Sequence, residues 1–119
     1  MDKDSLLGIA KLLLPGVLVD YFELTHHKIK GEELHFHFKE KNIIPSGYVK
    51  EGPSSKGFYP EATVQDFPIR GKAVYLHITR RRWLDEGSAQ AISRDWQLVA
   101  KGTRMTNEFA TFLKEISRY

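Results

Sequence analysis

With 119 residues, 41% of them apolar and 28% charged, the chain has the composition of one globular domain, with enough apolar side chain for a core and too little length for a typical multi-domain enzyme. It contains no cysteine, which excludes a disulfide framework and a thiolate zinc site. The net charge of +3 is unevenly spread: Met1 to Asp66 holds 8 Lys/Arg against 10 Asp/Glu, Phe67 to Tyr119 holds 10 against 5, and every arginine lies at Arg70 or beyond.

The start of the chain carries Asp2 and Asp4 and only a short apolar run, Leu12 to Leu14, before Pro15 and Gly16. That is neither a signal peptide nor a span of about 20 apolar residues, so a soluble protein in the cytoplasm, with no membrane contact, is expected. The first element is predicted as a helix from about Ser5 to Leu14, capped by Asp4 or Ser5, with Leu6, Ile9 and Leu13 as its apolar stripe. Pro15-Gly16 stops it, and Val17 to Asp20 can form a further short turn.

From Tyr21 to Glu40 the period changes to that of a β-hairpin. Pairing Lys28 with Glu32 leaves the loop Ile29-Lys30-Gly31 and sets Phe22, Leu24 and His26 opposite Phe38, Phe36 and Leu34 on one face. The other face then pairs Glu23 with His37, Thr25 with His35 and His27 with Glu33. Residues 42–55, rich in Pro, Gly and Ser, read as a loop between two sub-lobes, 1–41 and 56–119, of a single domain covering 1–119. Beyond it, Phe58 to Phe67, Ala73 to Arg82 and Ile92 to Ala100 form a three-stranded antiparallel meander, with turns at Pro68 to Gly71 and Asp85 to Ser88.

The last element is an amphipathic helix from about Thr106 to Arg118, with Thr106 as N-cap and Phe109, Phe112, Leu113 and Ile116 along one face. The predicted fold class is therefore α+β: N-terminal helix, hairpin, meander and C-terminal helix.

Five histidines raise the question of a metal. His35 and His37 lie two apart on one strand face with Glu23 as a third candidate ligand, but the hairpin register already accounts for them as outward residues facing Glu and Thr. No metal and no cofactor are expected. The serines have no nucleophile elbow, no glycine-rich phosphate loop is present, and Asp66 and Asp95, a conceivable carboxylate pair, read more simply as turn or arginine partners.

The segment with the strongest claim to chemistry is Arg80-Arg81-Arg82-Trp83, at the end of the strand that carries Val74, Leu76 and Ile78 on one face and Tyr75, His77 and Thr79 on the other. Guanidinium groups projecting to both sides of a strand end, beside an indole, suit a phosphate backbone. The same residues also suit a solvated strand end paired with Asp85, Glu86 and Asp95. Arg70, Lys72, Lys101 and Arg104 extend the basic character.

The residues KGFYPEATVQDFPIRGKAVYLHITRRRW from Lys56, followed by SRDW and GTRMTNEFATFL, resemble the N-terminal region of insertion-sequence transposases of the ISL-three group, ISAon type. LLLPGVLVDYFEL near the start is similar to the opening of the same proteins. The resemblance implies a DNA-binding domain that recognises transposon ends, preceding a helix-turn-helix and an RNase H-like catalytic domain that these 119 residues do not reach. Many members bind zinc through cysteines near positions 48–53 and 84–92, and this chain has none there.

The resulting expectation is a non-catalytic DNA-binding or assembly domain, with Arg70, Lys72, Arg80, Arg81, Arg82, Trp83, Lys101 and Arg104 as its nucleic-acid contacts. The alternative is a protein-interaction module that pairs with a separate catalytic transposase chain or with itself.

Overall fold

The computed structural model describes residues 14–43, 53–85, 90–92, 96 and 105–116. The predicted helix at 5–14 therefore lies outside them in all but its last residue. Helix α1 (Gly16–Tyr21) starts after Pro15, whose carbonyl accepts the Leu18 N–H at 3.0 Å, and it buries Val17, Leu18 and Val19. It runs directly into β1 (Phe22–Lys30), which turns back as β2 (Glu33–Glu40).

The hairpin forms, but its register differs from the predicted one. Lys30 pairs with Glu33, so the loop is the two residues Gly31-Glu32, with Gly31 alone at positive φ (58°), the φ pattern of a II′ turn. A bulge at Thr25 then shifts the pairing between Leu24 and His26. Because strand side chains alternate, one extra residue exchanges faces: Leu24 sits opposite Phe38 on the core side, and His26 sits opposite His37 on the other side, away from Leu34.

The first two predicted meander strands are present, and the third is met only at Ile92, by a strand that lies just before the predicted one. β4 (Ala62–Ile69) pairs with β5 (Lys72–Thr79), and β6 (Arg81–Asp85) pairs with β7 (Gln90–Ile92). The middle strand is long and is divided at Arg80 between two sheets. Its second half also pairs with β3 (Pro53–Phe58), a strand placed where the sequence suggests the end of a loop. The third strand is short, and Trp96 is helical. Arg70 (φ 49°) and Gly71 (φ 77°) form the β4–β5 turn, both in the left-handed region as a I′ turn requires. Pro68 lies in the bulge between Asp66 and Ile69, where its missing N–H costs no ladder bond.

The decisive join is parallel. β2 lies beside β5 from Glu33↔Ala73 to Lys39↔Thr79, giving a four-stranded sheet in the order β1-β2-β5-β4 and a three-stranded sheet in the order β3-β6-β7. The segments predicted as two sub-lobes thus share one sheet. Its inner face supplies Leu24, Phe38, Val64, Val74, Leu76 and Ile78, covered by α1, Trp96 and helix α2 (Asn107–Ile116) through Phe109, Leu113 and Ile116.

Thr106 caps α2 as predicted: its hydroxyl accepts the Phe109 N–H at 3.1 Å. The same hydroxyl donates to the Gln65 carbonyl at 2.9 Å, and Glu108 accepts the Gln65 N–H at 3.0 Å. The helix start therefore satisfies the open edge of β4. Among the described residues, no helix is long and apolar enough to cross a membrane.

Leu76→Ala, at a fully buried position, is expected to lower unfolding free energy by about 2–5 kcal/mol. Thr106→Ala is expected to cost about 1–2 kcal/mol through the lost cap and edge bond. Urea unfolding of the two variants checks both values.

Candidate functional site

The strand that crosses from one sheet to the other carries Arg80 to Trp83, and the fold gives the four residues different surroundings. Trp83 is 2% exposed, with its indole Nε1 buried and unpartnered. It packs inside, which corrects the expectation of an indole free to stack on a base. Arg81 is half-buried and tied to its own fold. Its backbone N–H donates to Glu40 Oε1 at 2.8 Å, Nη1 donates to Ser55 Oγ at 2.8 Å, and Nη2 donates to the Glu40 carbonyl at 3.3 Å. Its guanidinium also lies 4.8 Å from the Phe58 ring centroid.

Arg81 is thus a clamp between the end of β2, β3 and β6, rather than a side chain presented to a ligand. Arg80 is partly exposed, its guanidinium 4.3 Å over the Tyr59 ring and its carbonyl bonded to the Tyr59 N–H. Arg82 is exposed.

Of the other predicted contacts, Arg70 and Lys72 are not gathered at this end. Arg70 is exposed in the β4–β5 turn, and Lys72 lies next to it with Nζ 3.5 Å from Glu32. Arg80 lies eight residue steps along the strand from Lys72, about 26 Å at the usual rise. Lys101 and Arg104 lie outside the described residues, as does Asp95. Asp66 is 4% exposed with Oδ1 unpartnered, and burial raises its pKa above the ordinary 3.8 against a lowering hydrogen bond from Phe67 N–H.

The outer face of the four-stranded sheet holds a cluster that the sequence does not reveal as such. The in-register ladders align His26, His37, His77 and Thr63 in one row across β1, β2, β5 and β4, with His35 and Tyr75 in the next. The rings are nearly parallel: His26 and His37 centroids are 3.8 Å apart, His37 and His77 4.3 Å, His35 and His77 5.1 Å, and His35 and Tyr75 5.1 Å. Both faces of His37 are covered by imidazoles. This row therefore offers ring edges to a ligand, and stacking of a base on His37 is closed.

Polar contacts bind the rings together. Glu33 Oε1 lies 3.0 Å from His35 Nε2, His35 Nδ1 lies 2.8 Å from His77 Nε2, and Thr63 Oγ1 lies 2.9 Å from His77 Nδ1. Glu61, from the segment just before β4, comes within 3.6 Å of Nδ1 of both His37 and His77. The partner expected for His37, Glu23, is instead paired in register with Lys39. Only one half of this cluster, His35 and His37, shows as a sequence signal. Its completion depends on the register set by the Gly31-Glu32 turn and on a pairing between strands distant in the chain, neither of which periodicity marks.

Comparison with protein-family models, with curated proteins and with solved structures returns no match of any of the three kinds.

Two outcomes follow from these contacts. Arg81→Ala is expected to destabilise the fold by about 2–3 kcal/mol by removing charged hydrogen bonds, while Arg82→Ala stays within about 0.5 kcal/mol, as thermal unfolding will report. The second concerns pH. Burial lowers the His77 pKa from 6.5, as do the nearby His37, His35 and His26, while Glu61 raises it. The unfolded chain therefore binds the proton more readily, so stability is fully present above about pH 6.5 and falls as the pH drops through the lowered folded value. His77→Gln should flatten that part of the profile in urea titrations. Asp66 acts with the opposite sign: its contribution is present below about pH 3.8 and is lost as the pH rises through its raised value.

Proposed function

We propose that the chain is a non-catalytic DNA-binding or assembly domain of a transposase-like protein, acting in the cytoplasm on transposon-end DNA. The observation that carries the reading is the crossing strand at Arg80 to Arg82. Arg81 is fixed by Glu40, Ser55 and Phe58, and this anchors the backbone that presents an exposed Arg82 beside a partly exposed Arg80. Guanidinium groups held on a rigid strand suit bidentate phosphate contact, and little side-chain freedom is lost on binding. The excess of basic residues beyond Asp66 supports the same half of the chain as the contact surface. Arg70 and Lys72, at the far end of β5, form a second and separate point of contact.

The supporting side chains divide accordingly. Arg80 and Arg82 meet phosphate, Arg81 positions them, and Trp83 fills the space behind them. A protein-interaction role is the second reading, and it rests on an open groove of about 440 Å³ between β4 and α2, where Ala62, Val64 and Phe112 offer apolar surface to a separate catalytic chain or to a second copy.

An anisotropy series with duplex DNA at increasing salt tests the first reading. The double variant Arg80→Ala/Arg82→Ala, which spares the clamp, should bind more weakly and lower the slope of log K against log salt by about two. An unchanged slope overturns it. Gel filtration of the free chain showing a stable dimer without DNA affinity would favour the second reading.

A further inference from the structure

The histidine row has a chemistry of its own that the DNA-binding reading does not use. A metal ligand set needs neutral imidazoles with free lone pairs, a carboxylate within reach, and outer partners that hold the rings in one tautomer. All three are present on the outer face of the sheet.

One ring nitrogen each of His37 and His77 and one carboxylate oxygen of Glu61 all lie within 4.8 Å of one another. The two nitrogen-to-carboxylate distances are 3.6 Å. Bonds of about 2.0–2.1 Å to a tetrahedral ion place its ligand atoms roughly 3.4 Å apart. Each Nδ1 is already close to this spacing from its own Glu61 oxygen, Oε2 for His37 and Oε1 for His77, and within a set of one atom per residue no pair needs to close by more than about 1.4 Å. The Glu61 side chain is 47% exposed and free to adjust, while the two histidines are fixed by neighbouring strands at His37↔His77.

The hydrogen bonds behind His77 settle which nitrogen it offers. With both imidazoles neutral, the Glu33 carboxylate can only accept, so His35 carries its proton on Nε2 and leaves Nδ1 bare. That bare Nδ1 must accept from His77, so His77 is protonated on Nε2 and its Nδ1 keeps the lone pair. That Nδ1 lies 3.6 Å from Glu61 Oε1 and accepts from the Thr63 hydroxyl at 2.9 Å, a bond that a metal ion would displace. The relay Glu33–His35–His77 thus has the form of the carboxylate–histidine support found behind metal ligands.

We propose that His37, His77 and Glu61 form a binding site for one borderline divalent transition-metal ion, with Glu33 and His35 as positioning residues that fix the tautomer of His77. Imidazole with one carboxylate selects ions of the Zn²⁺, Ni²⁺ and Cu²⁺ kind over Mg²⁺ or Ca²⁺. Three protein ligands leave a fourth position for water or an incoming ligand atom. The sequence expectation of no metal rested on Glu23 facing His37; with Glu61 in that place and His77 alongside, a ligand set exists.

Zn²⁺ titration calorimetry of the full chain, without a polyhistidine tag, tests the site, with Co²⁺ absorption as a readout of tetrahedral coordination. One ion per chain is expected. His37→Ala and His77→Ala should abolish binding. Glu61→Gln, at an exposed side chain that leaves the fold intact, should weaken it at least tenfold. Glu33→Gln and His35→Gln should weaken it by roughly 10–100-fold without contacting the ion. His27→Ala, exposed on the opposite side of β1, should change nothing. Metal-free melting curves identify any variant that fails to fold, and Glu61→Gln then decides the matter. No Zn²⁺ uptake by the parent chain, or equal uptake by the parent and by folded Glu61→Gln and His77→Ala, overturns the proposal.

Discussion

The parallel pairing of β2 with β5 sets both faces of the main sheet at once. Because side chains alternate along each strand, aligning Phe38 with Ile78 and Phe36 with Leu76 on the inner face also aligns His37 with His77 and His35 with Tyr75 on the outer face. The inner row is what α2 and Trp96 cover, so burial of the core and assembly of the imidazoles are one event. A slip of one residue would expose the apolar row and disperse the histidines together. The energetic weight lies on the inner side, where Val74, Leu76 and Ile78 are almost completely removed from water.

The limits of sequence reading follow from the same pairing. Local signals are legible: a turn ending at Gly71, the Thr106 cap, the stripe of Phe109, Leu113 and Ile116, and the alternation of β5 each involve residues close in the chain. The partner of β2 is not legible, because periodicity tells which face of a strand is buried and nothing about which distant strand lies beside it. The bulge at Thr25 is equally hidden. The predicted three-residue loop places His26 with Leu34; the two-residue turn at Gly31-Glu32 places it with His37, where ring stacking and solvent access replace burial, and the bulge then returns Leu24 to the core opposite Phe38.

The basic cluster shows how burial redistributes work among similar side chains. Four consecutive residues that read as one cationic and aromatic tip are separated by the fold into a partly exposed Arg80, a clamped Arg81, an exposed Arg82 and an interior Trp83. Arg81 is suited to the clamp because its planar fork reaches a hydroxyl and a carbonyl at once while its face covers Phe58. A lysine at that position would supply the charge without the geometry. Among the described residues, the indole Nε1 of Trp83, the Asp66 Oδ1 and the Arg81 Nε are buried without a partner, and there polar chemistry opposes packing.

The crossing at Arg80 has a mechanical meaning. β5 and β6 are one run of extended backbone, gripped by β2 and β4 before the crossing and by β3 and β7 after it. A load applied at Arg82 along that run would be borne by several ladders in shear, with no single hydrogen bond taking it alone. Turning the load across the strand would strain the few bonds at the break itself, among them Tyr59 N–H to the Arg80 carbonyl and Arg81 N–H to Glu40. The molecule is therefore stiff in one direction and compliant in the other, and Arg80 is the axis between them.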